Sequence, residues 1–155
     1  MKVIFLDIDG VLNSVRYDAE KIDVNASIDE TRLVLLKELV DKSGAFIVLS
    51  STWRKHWDKE KGALDKTGEY MVGCFEKAGL SIYDKTADIS YVKRSEEVKI
   101  WLGTHPDAEK FVIFDDEFFR WGEFYDYLVK TDSRIGRGLE KRHIEKALEI
   151  LGNDN

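Results

Sequence analysis

KVIFLDIDGVLN, residues 2–13, decides the fold. Val3, Ile4, Phe5 and Leu6 follow one another without a polar break, the pattern of a strand buried on both faces. A strand is therefore predicted over residues 2–8, in a sheet that carries a layer on each side. Asp7 and Asp9 stand where this strand ends, and Gly10 opens the turn that takes the chain out of the core. Side chains at i and i+2 of a strand point the same way, and a turn at Gly10 re-aims the second carboxylate.

Working outward, short apolar runs alternate with helical patterns, which argues an α/β protein with a mainly parallel sheet. A polar stretch covers residues 13–26. Ser27-Ile28-Asp29-Glu30 reads as a capping box with Ser27 as N-cap. The helix it opens carries Leu33, Leu36 and Val40 on one face and ends near Gly44. Further strands are predicted over 45–49, 80–83, 111–114 and 127–131. Helices are predicted around 70–78, after a Ser95 cap, and at the end of the chain, where Ile144, Ala147, Leu148 and Leu151 share a face. His105-Pro106 ends the second of these and Gly152 the third.

In open α/β sheets the ligand crevice lies beyond the carboxyl ends of the strands. Asp7 and Asp9, Ser50 and Ser51, and Asp115 and Asp116 all occupy such ends. Three polar clusters are thus directed to one edge of one sheet.

The chain has 155 residues, which suits one domain over 1–155 with one hydrophobic core. Apolar residues make up 43% and charged residues 35%, the balance of a globular protein rather than a disordered one. Cys74 is the only cysteine, so neither an internal disulfide nor a cysteine zinc site is available and a reducing setting is expected. Asp7 breaks the N-terminal apolar run too early for a signal peptide, and no stretch reaches transmembrane length. A cytoplasmic protein without a membrane partner is expected. The net charge of −6 argues against bulk, non-specific nucleic-acid binding but leaves room for a local basic surface. Arg134, Arg137, Lys141, Arg142 and His143 crowd one stretch and Arg54, Lys55 and His56 another; runs of this kind are most often solvated faces.

A strand-end carboxylate serves as a nucleophile on phosphorus or as a hard oxygen ligand for Mg²⁺. A second one nearby serves as general acid and base. Asp7 and Asp9 supply such a pair, although a lone DxD is more often a turn. Adjacent aspartates at the end of a buried strand raise each other's pKa, and a divalent cation removes that penalty, so Asp115-Asp116 completes a metal site. The Ser50 hydroxyl and the backbone N–H groups after it suit a phosphoryl oxygen, and Ser51 shares that position. Read alone, Ser50-Ser51-Thr52 is a helix N-cap. A cation must balance the phosphoryl charge. Lys93 and Arg94, just before a helix start, are candidates, and Arg54 is another.

Together these segments resemble the haloacid dehalogenase (HAD) superfamily. FLDIDGVLN resembles its motif I, IVLSS its motif II, Lys93-Arg94 its motif III and FVIFDDE its acidic motif IV, in the family's order and across the whole chain. More narrowly, LSSTWR, RSEEVKIWL, FDDE, and KTD with a later GL and closing helix resemble the HAD domains of bacterial and phage RNA-repair proteins, relatives of the polynucleotide phosphatases. The resemblance implies a Rossmannoid three-layer sandwich around a mainly parallel five-stranded sheet. It implies a Mg²⁺-dependent phosphatase in which Asp7 attacks phosphorus and forms an aspartyl-phosphate. Asp9 protonates the leaving oxygen and then activates water. Ser50 binds a phosphoryl oxygen. Arg94 or Lys93 fills a place where the family usually has Lys. Mg²⁺ is held by the Asp7 carboxylate, the Asp9 backbone carbonyl and Asp116, with Asp115 in support. An acid two residues after the nucleophile suits phosphate esters, whose leaving oxygen needs a proton; dehalogenase and phosphonatase branches lack it.

The segment 13–26 is too short for a helical cap domain, and the roughly forty residues between Ser51 and Lys93 must also hold a strand. Little or no cap is expected, hence an open site for a large phosphorylated substrate such as a nucleic-acid end, with nucleotides as another class. Trp53, Trp57 and Tyr17 are candidates for base stacking at its rim or for half-buried packing. A non-catalytic domain that binds phosphorylated ends or a partner protein is the alternative, and the intact Asp7, Asp9, Ser50 and Asp116 count against it. A receiver-type domain needs its acidic pair after the first strand and an acceptor aspartate at the end of the third; here the third strand ends near Tyr83-Asp84 without a supporting site, and the acidic pair follows the fourth.

Overall fold

The computed structural model describes residues 1–14, 27–118, 120–134 and 136–152. Its central sheet contains β1 (Lys2–Leu6), β2 (Phe46–Leu49), β5 (Ile82–Lys85), β6 (Lys110–Asp115) and β7 (Leu128–Lys130). The strand order is β5-β2-β1-β6-β7 and every pairing is parallel. A small antiparallel hairpin, β3 (Trp57–Asp58) and β4 (Gly62–Ala63), stands apart from it. Among the described residues four helices complete the order: α1 (Glu30–Ser43), α2 (Lys66–Lys77), α3 (Arg94–Gly103) and α4 (Lys141–Leu151). Two 3₁₀ turns, Thr52–His56 and Gly122–Tyr127, follow β2 and precede β7.

The apolar run of β1 is buried on both faces, and the pleat sorts it. Ile4 and Leu6 join Ile47, Leu49, Val112 and Phe114 in a core shared with α1, α2 and α4. Val3 and Phe5 point the other way, with Val48 and Ile113, onto Val98 and Trp101 of α3, Phe124 of the second 3₁₀ turn and Trp121, its N-cap. The result is helix, sheet, helix: the α/β three-layer, Rossmann-like sandwich with a five-stranded parallel sheet. Register fixes what happens at the edge. Leu6 lies opposite Leu49 on one side and Phe114 on the other, so Asp7, Ser50 and Asp115 emerge level with one another.

Local starts differ from expectation in two places. The N-cap of α1 is Asp29, not Ser27: Asp29 is extended at φ −79° and its carboxylate accepts from Thr31 N at 2.9 Å. An aspartate there also meets the positive end of the helix dipole, which a serine does not. The N-cap of α3 is Lys93, with no side-chain cap bond, and Ser95 falls within the first turn. Between Ser51 and Lys93 the hairpin and α2 take up the chain, and Met71 and Phe75 of α2 are buried in the same core as β1. That helix is therefore part of a fold layer, not a lid. The segment 15–26 and Tyr17 with it lie outside the described residues. Among the described residues no helix is long and apolar enough to cross a membrane.

Candidate active site

Backbone hydrogen bonds lace the strand ends together beyond the last paired residues. Asp7 N donates to Phe114 O at 3.0 Å, Ser50 N to Leu6 O at 3.0 Å, and Thr131 N to Asp115 O at 3.0 Å. Each side chain that leaves the sheet here is thus anchored by a rigid neighbour, which is how a site holds its geometry.

Carboxylate oxygens of Asp7, Asp115 and Asp116 all lie within 4.8 Å of one another. Asp7 and Asp115 are buried and Asp116 is partly so. Burial first, then the Asp115 charge, pushes the Asp7 pKa well above the usual carboxylate range, against the pull of Arg94. Burial and Asp115 push Asp116 up to about 6. One guanidinium nitrogen, Arg94 Nη1, sits 2.8 Å from Asp115 Oδ2 and 3.2 Å from Asp7 Oδ2. The two carboxylates raise the Arg94 pKa, although its own burial opposes them. The remaining Asp115 oxygen accepts from Glu117 N at 2.9 Å, and Asp7 Oδ1 accepts from Ile8 N at 2.9 Å.

Three clustered carboxylates against one guanidinium leave negative charge uncompensated in a partly dehydrated place. Raised pKa values are the signature of that deficit. The donor set is all oxygen, with carboxylates and room for further ligands, which suits Mg²⁺ rather than a soft metal. The residues present therefore fit a hard divalent cation held by Asp7, Asp115 and Asp116.

Asp9 is treated differently. It is partly exposed, and two neutral donors hold it: Asn13 Nδ2 gives Oδ1 a 3.1 Å bond and Trp53 Nε1 gives Oδ2 a 3.1 Å bond. Asn13 also accepts from Gly10 N at 2.9 Å, and Thr131 Oγ1 donates to Gly10 O at 2.7 Å. Gly10 is left-handed at φ +82°, and a Cβ at that position would collide with the Asp116 carboxylate. Only glycine lets the motif loop pass so close to the acidic cluster.

The other nominated residues divide. Ser50 is completely buried and its Oγ has no hydrogen-bond partner among the described residues. A buried hydroxyl without a partner needs an explanation, and a phosphoryl oxygen is a suitable one. Ser51 instead caps the first 3₁₀ turn, accepting from Trp53 N at 3.1 Å. Arg54 is drawn into the interior. Its Nη2 bonds Glu97 at 2.9 Å and Asp88 at 3.1 Å, and its Nη1 bonds Thr86 at 3.0 Å. With its charge matched by Glu97, Arg54 braces β2, β5 and α3 while lining the same cavity as Lys93 and Arg94. Of the Lys93-Arg94 pair, Arg94 reaches the carboxylates, while Lys93 is exposed at the helix cap.

Sequence reasoning does not find Asn13, Trp53 and Thr131 as partners of the Asp9 loop. Asn13 ends the quoted FLDIDGVLN segment, four residues after Asp9, a spacing that suits a turn-closing side chain. Trp53 and Thr131 are distant in sequence and carry no signal of that role.

Comparison with known proteins agrees with this frame. No curated protein and no solved structure matches the chain significantly. A family model described as "HAD domain in Swiss Army Knife RNA repair proteins" matches residues 3–144, from the first strand to the last helix. The match takes in each strand end described above, and the chain therefore belongs to the family of HAD domains in Swiss Army Knife RNA repair proteins.

Proposed function

We propose that the chain is a Mg²⁺-dependent phosphatase that hydrolyses a phosphate monoester through an aspartyl-phosphate, with phosphorylated nucleic-acid ends as its substrates. The observation that carries this reading is the unlike treatment of two carboxylates. Asp7 is buried beside Arg94 and the acidic cluster, whereas Asp9 is partly exposed and held by two neutral donors. A nucleophile and a general acid need this division of roles. The family supplies the nucleic-acid class, since its members are domains of RNA-repair proteins.

In the first step an Asp7 carboxylate oxygen attacks phosphorus, and the bond from phosphorus to the ester oxygen breaks. Asp9, in its acid form, gives that oxygen its proton, so an alcohol leaves. In the second step Asp9, now a carboxylate, takes a proton from water as the water oxygen attacks the same phosphorus. The bond to Asp7 breaks, inorganic phosphate leaves and Asp9 is again the acid. The Ser50 hydroxyl donates to a phosphoryl oxygen throughout, and Arg94 keeps Asp7 aligned. Asp7, the Asp9 backbone carbonyl and Asp116, with Asp115 in support, would hold Mg²⁺, which would supply positive charge to offset that of the phosphoryl group.

The test is turnover of p-nitrophenyl phosphate with Mg²⁺ by wild type and Asp7→Asn. The variant is expected to lose activity by several orders of magnitude. Equal rates, or no activity in either protein across a panel that includes 3′- and 5′-phosphorylated RNA and DNA, would overturn the reading.

A further inference from the structure

We propose that Phe118 and Tyr125 form the platform on which the base next to a phosphorylated end stacks, with Arg120 and Lys130 meeting the phosphates of that single strand. The inference rests on the phosphatase reading for its choice of ligand. It also relocates the stacking surface. Trp53 and Trp57, nominated from sequence, are only 7% and 6% exposed, so neither offers a face to a base.

Phe118 and Tyr125 are 53% and 40% exposed, and their rings touch with centroids 5.3 Å apart. Two large aromatics open to solvent side by side are an unusual use of apolar surface unless something covers them. Their position says what covers them. Phe118 shares an open cleft of about 900 Å³ with Arg120, Lys130, Ser133, Glu117 and Asp116 of the acidic cluster. Phe118 follows Asp116 by two residues, so no more than about 7 Å of backbone separates the metal-binding end of the cleft from the aromatic one.

The cations of this cleft are available. Arg134 is paired with Asp132, and Arg137 and Arg142 are both paired with Glu140. Arg120 and Lys130 make no ion pair or side-chain hydrogen bond among the described residues. In a chain of net charge −6, unpaired cations beside exposed aromatics and a phosphate-directed acidic cluster form a local match to a strand. Aromatic faces plus backbone-tracking cations is how single strands are bound, because only an unpaired, unstacked base offers its face.

The test is fluorescence anisotropy with a short, labelled, 3′-phosphorylated single-stranded RNA and Mg²⁺. The Asp7→Asn protein is used so that the probe survives. Adding Phe118→Ala is expected to weaken binding roughly ten-fold at every salt concentration, the scale of one base stack, while Phe118→Trp restores it. Arg120→Gln with Lys130→Gln is expected to flatten the salt dependence, by about 0.7 in log–log slope for each phosphate no longer neutralised. With Asp7 intact, Phe118→Ala is expected to lower kcat/KM for the 3′-phosphorylated strand roughly ten-fold more than for glycerol 3-phosphate, which has no base to stack. The platform is overturned if the strand binds Phe118→Ala and wild-type Phe118 alike, if Phe118→Trp fails to restore binding, or if a blunt duplex competes as well as the single strand. Failure of the phosphatase reading shows separately, as a wild-type enzyme that turns over no phosphate ester.

Discussion

Trp53 Nε1 donates a 3.1 Å hydrogen bond to Asp9 Oδ2, joining the first turn after β2 to the loop after β1. The indole is otherwise packed in the core, so its N–H is rigidly placed. Trp53→Phe keeps most of that packing and removes the donor. Among the described residues Asp9 then keeps only the Asn13 bond on its other oxygen. Hydrogen bonds to charged groups contribute about 1.5–3 kcal/mol, so kcat for a phosphate ester should fall about ten- to a hundred-fold with little change in KM. A shifted pH–rate profile should accompany the loss, because the bond acts on the acid–base group. An unchanged kcat and profile would show that Trp53 only packs.

This bond also marks the boundary of what sequence could show. The strand ends were legible because a buried run followed by polar residues has one reading in a parallel sheet, and register then brings Asp7, Ser50 and Asp115 level. Partners that arrive from elsewhere were not legible. Nothing in Trp53 distinguishes an indole turned inward onto a carboxylate from one turned out to a ligand, and Arg54 reads as a free cation until Glu97 is seen beneath it. The N-caps slipped by two residues because Ser27 and Ser95 satisfied a local pattern, while α1 starts where the Asp29 carboxylate accepts from Thr31 N and α3 starts at Lys93 with no side-chain cap at all. The hairpin at Trp57–Asp58 and Gly62–Ala63 is too short to leave a periodic signal.

Arg94 is the cation that lets Asp7 and Asp115 be buried side by side, and its side chain is only 25% exposed. Arg94→Met removes it and strands both carboxylates. Breaking one partner out of a buried pair costs about 3–5 kcal/mol, and the partial exposure of Arg94 places this case near the lower end. Urea denaturation should show that loss without metal. Addition of Mg²⁺ should recover more stability in the variant than in wild type, since a cation then replaces the missing charge. Equal urea midpoints for the two proteins, or no response to Mg²⁺, would contradict the proposed charge balance.

His143 gives a pH dependence outside the site. Its Nδ1 accepts from Glu140 N at 2.9 Å in the capping box of α4, and its Nε2 is buried without a partner among the described residues. Burial, and then the Arg142 charge, lower its pKa below the ordinary 6.5. The unfolded chain therefore takes up this proton first, so the neutral ring's contribution is present above about 6.5 and is lost as pH falls through the folded value. His143→Gln keeps a capping side chain that does not titrate. Wild type should lose stability relative to this variant as the pH is lowered from about 7.5 to about 5.5, a window that brackets the ordinary histidine value, measured by chemical denaturation. Parallel pH curves would remove His143 as the cause.

Ser50 and Ser51 are neighbours with opposite expected signs. Ser51 Oγ accepts from Trp53 N, so Ser51→Ala should cost about 1 kcal/mol through loss of the cap. Ser50 Oγ is buried with no partner among the described residues, so Ser50→Ala should leave stability unchanged or raise it by up to about 1 kcal/mol. If the hydroxyl is kept for a phosphoryl oxygen, the same change should lower kcat/KM for a phosphate ester about ten- to a hundred-fold, as removal of a preorganised donor does. Stability gained while activity falls is the mark of a group retained for its ligand. A Ser50→Ala protein as destabilised as Ser51→Ala would instead mean that its hydroxyl supports the fold.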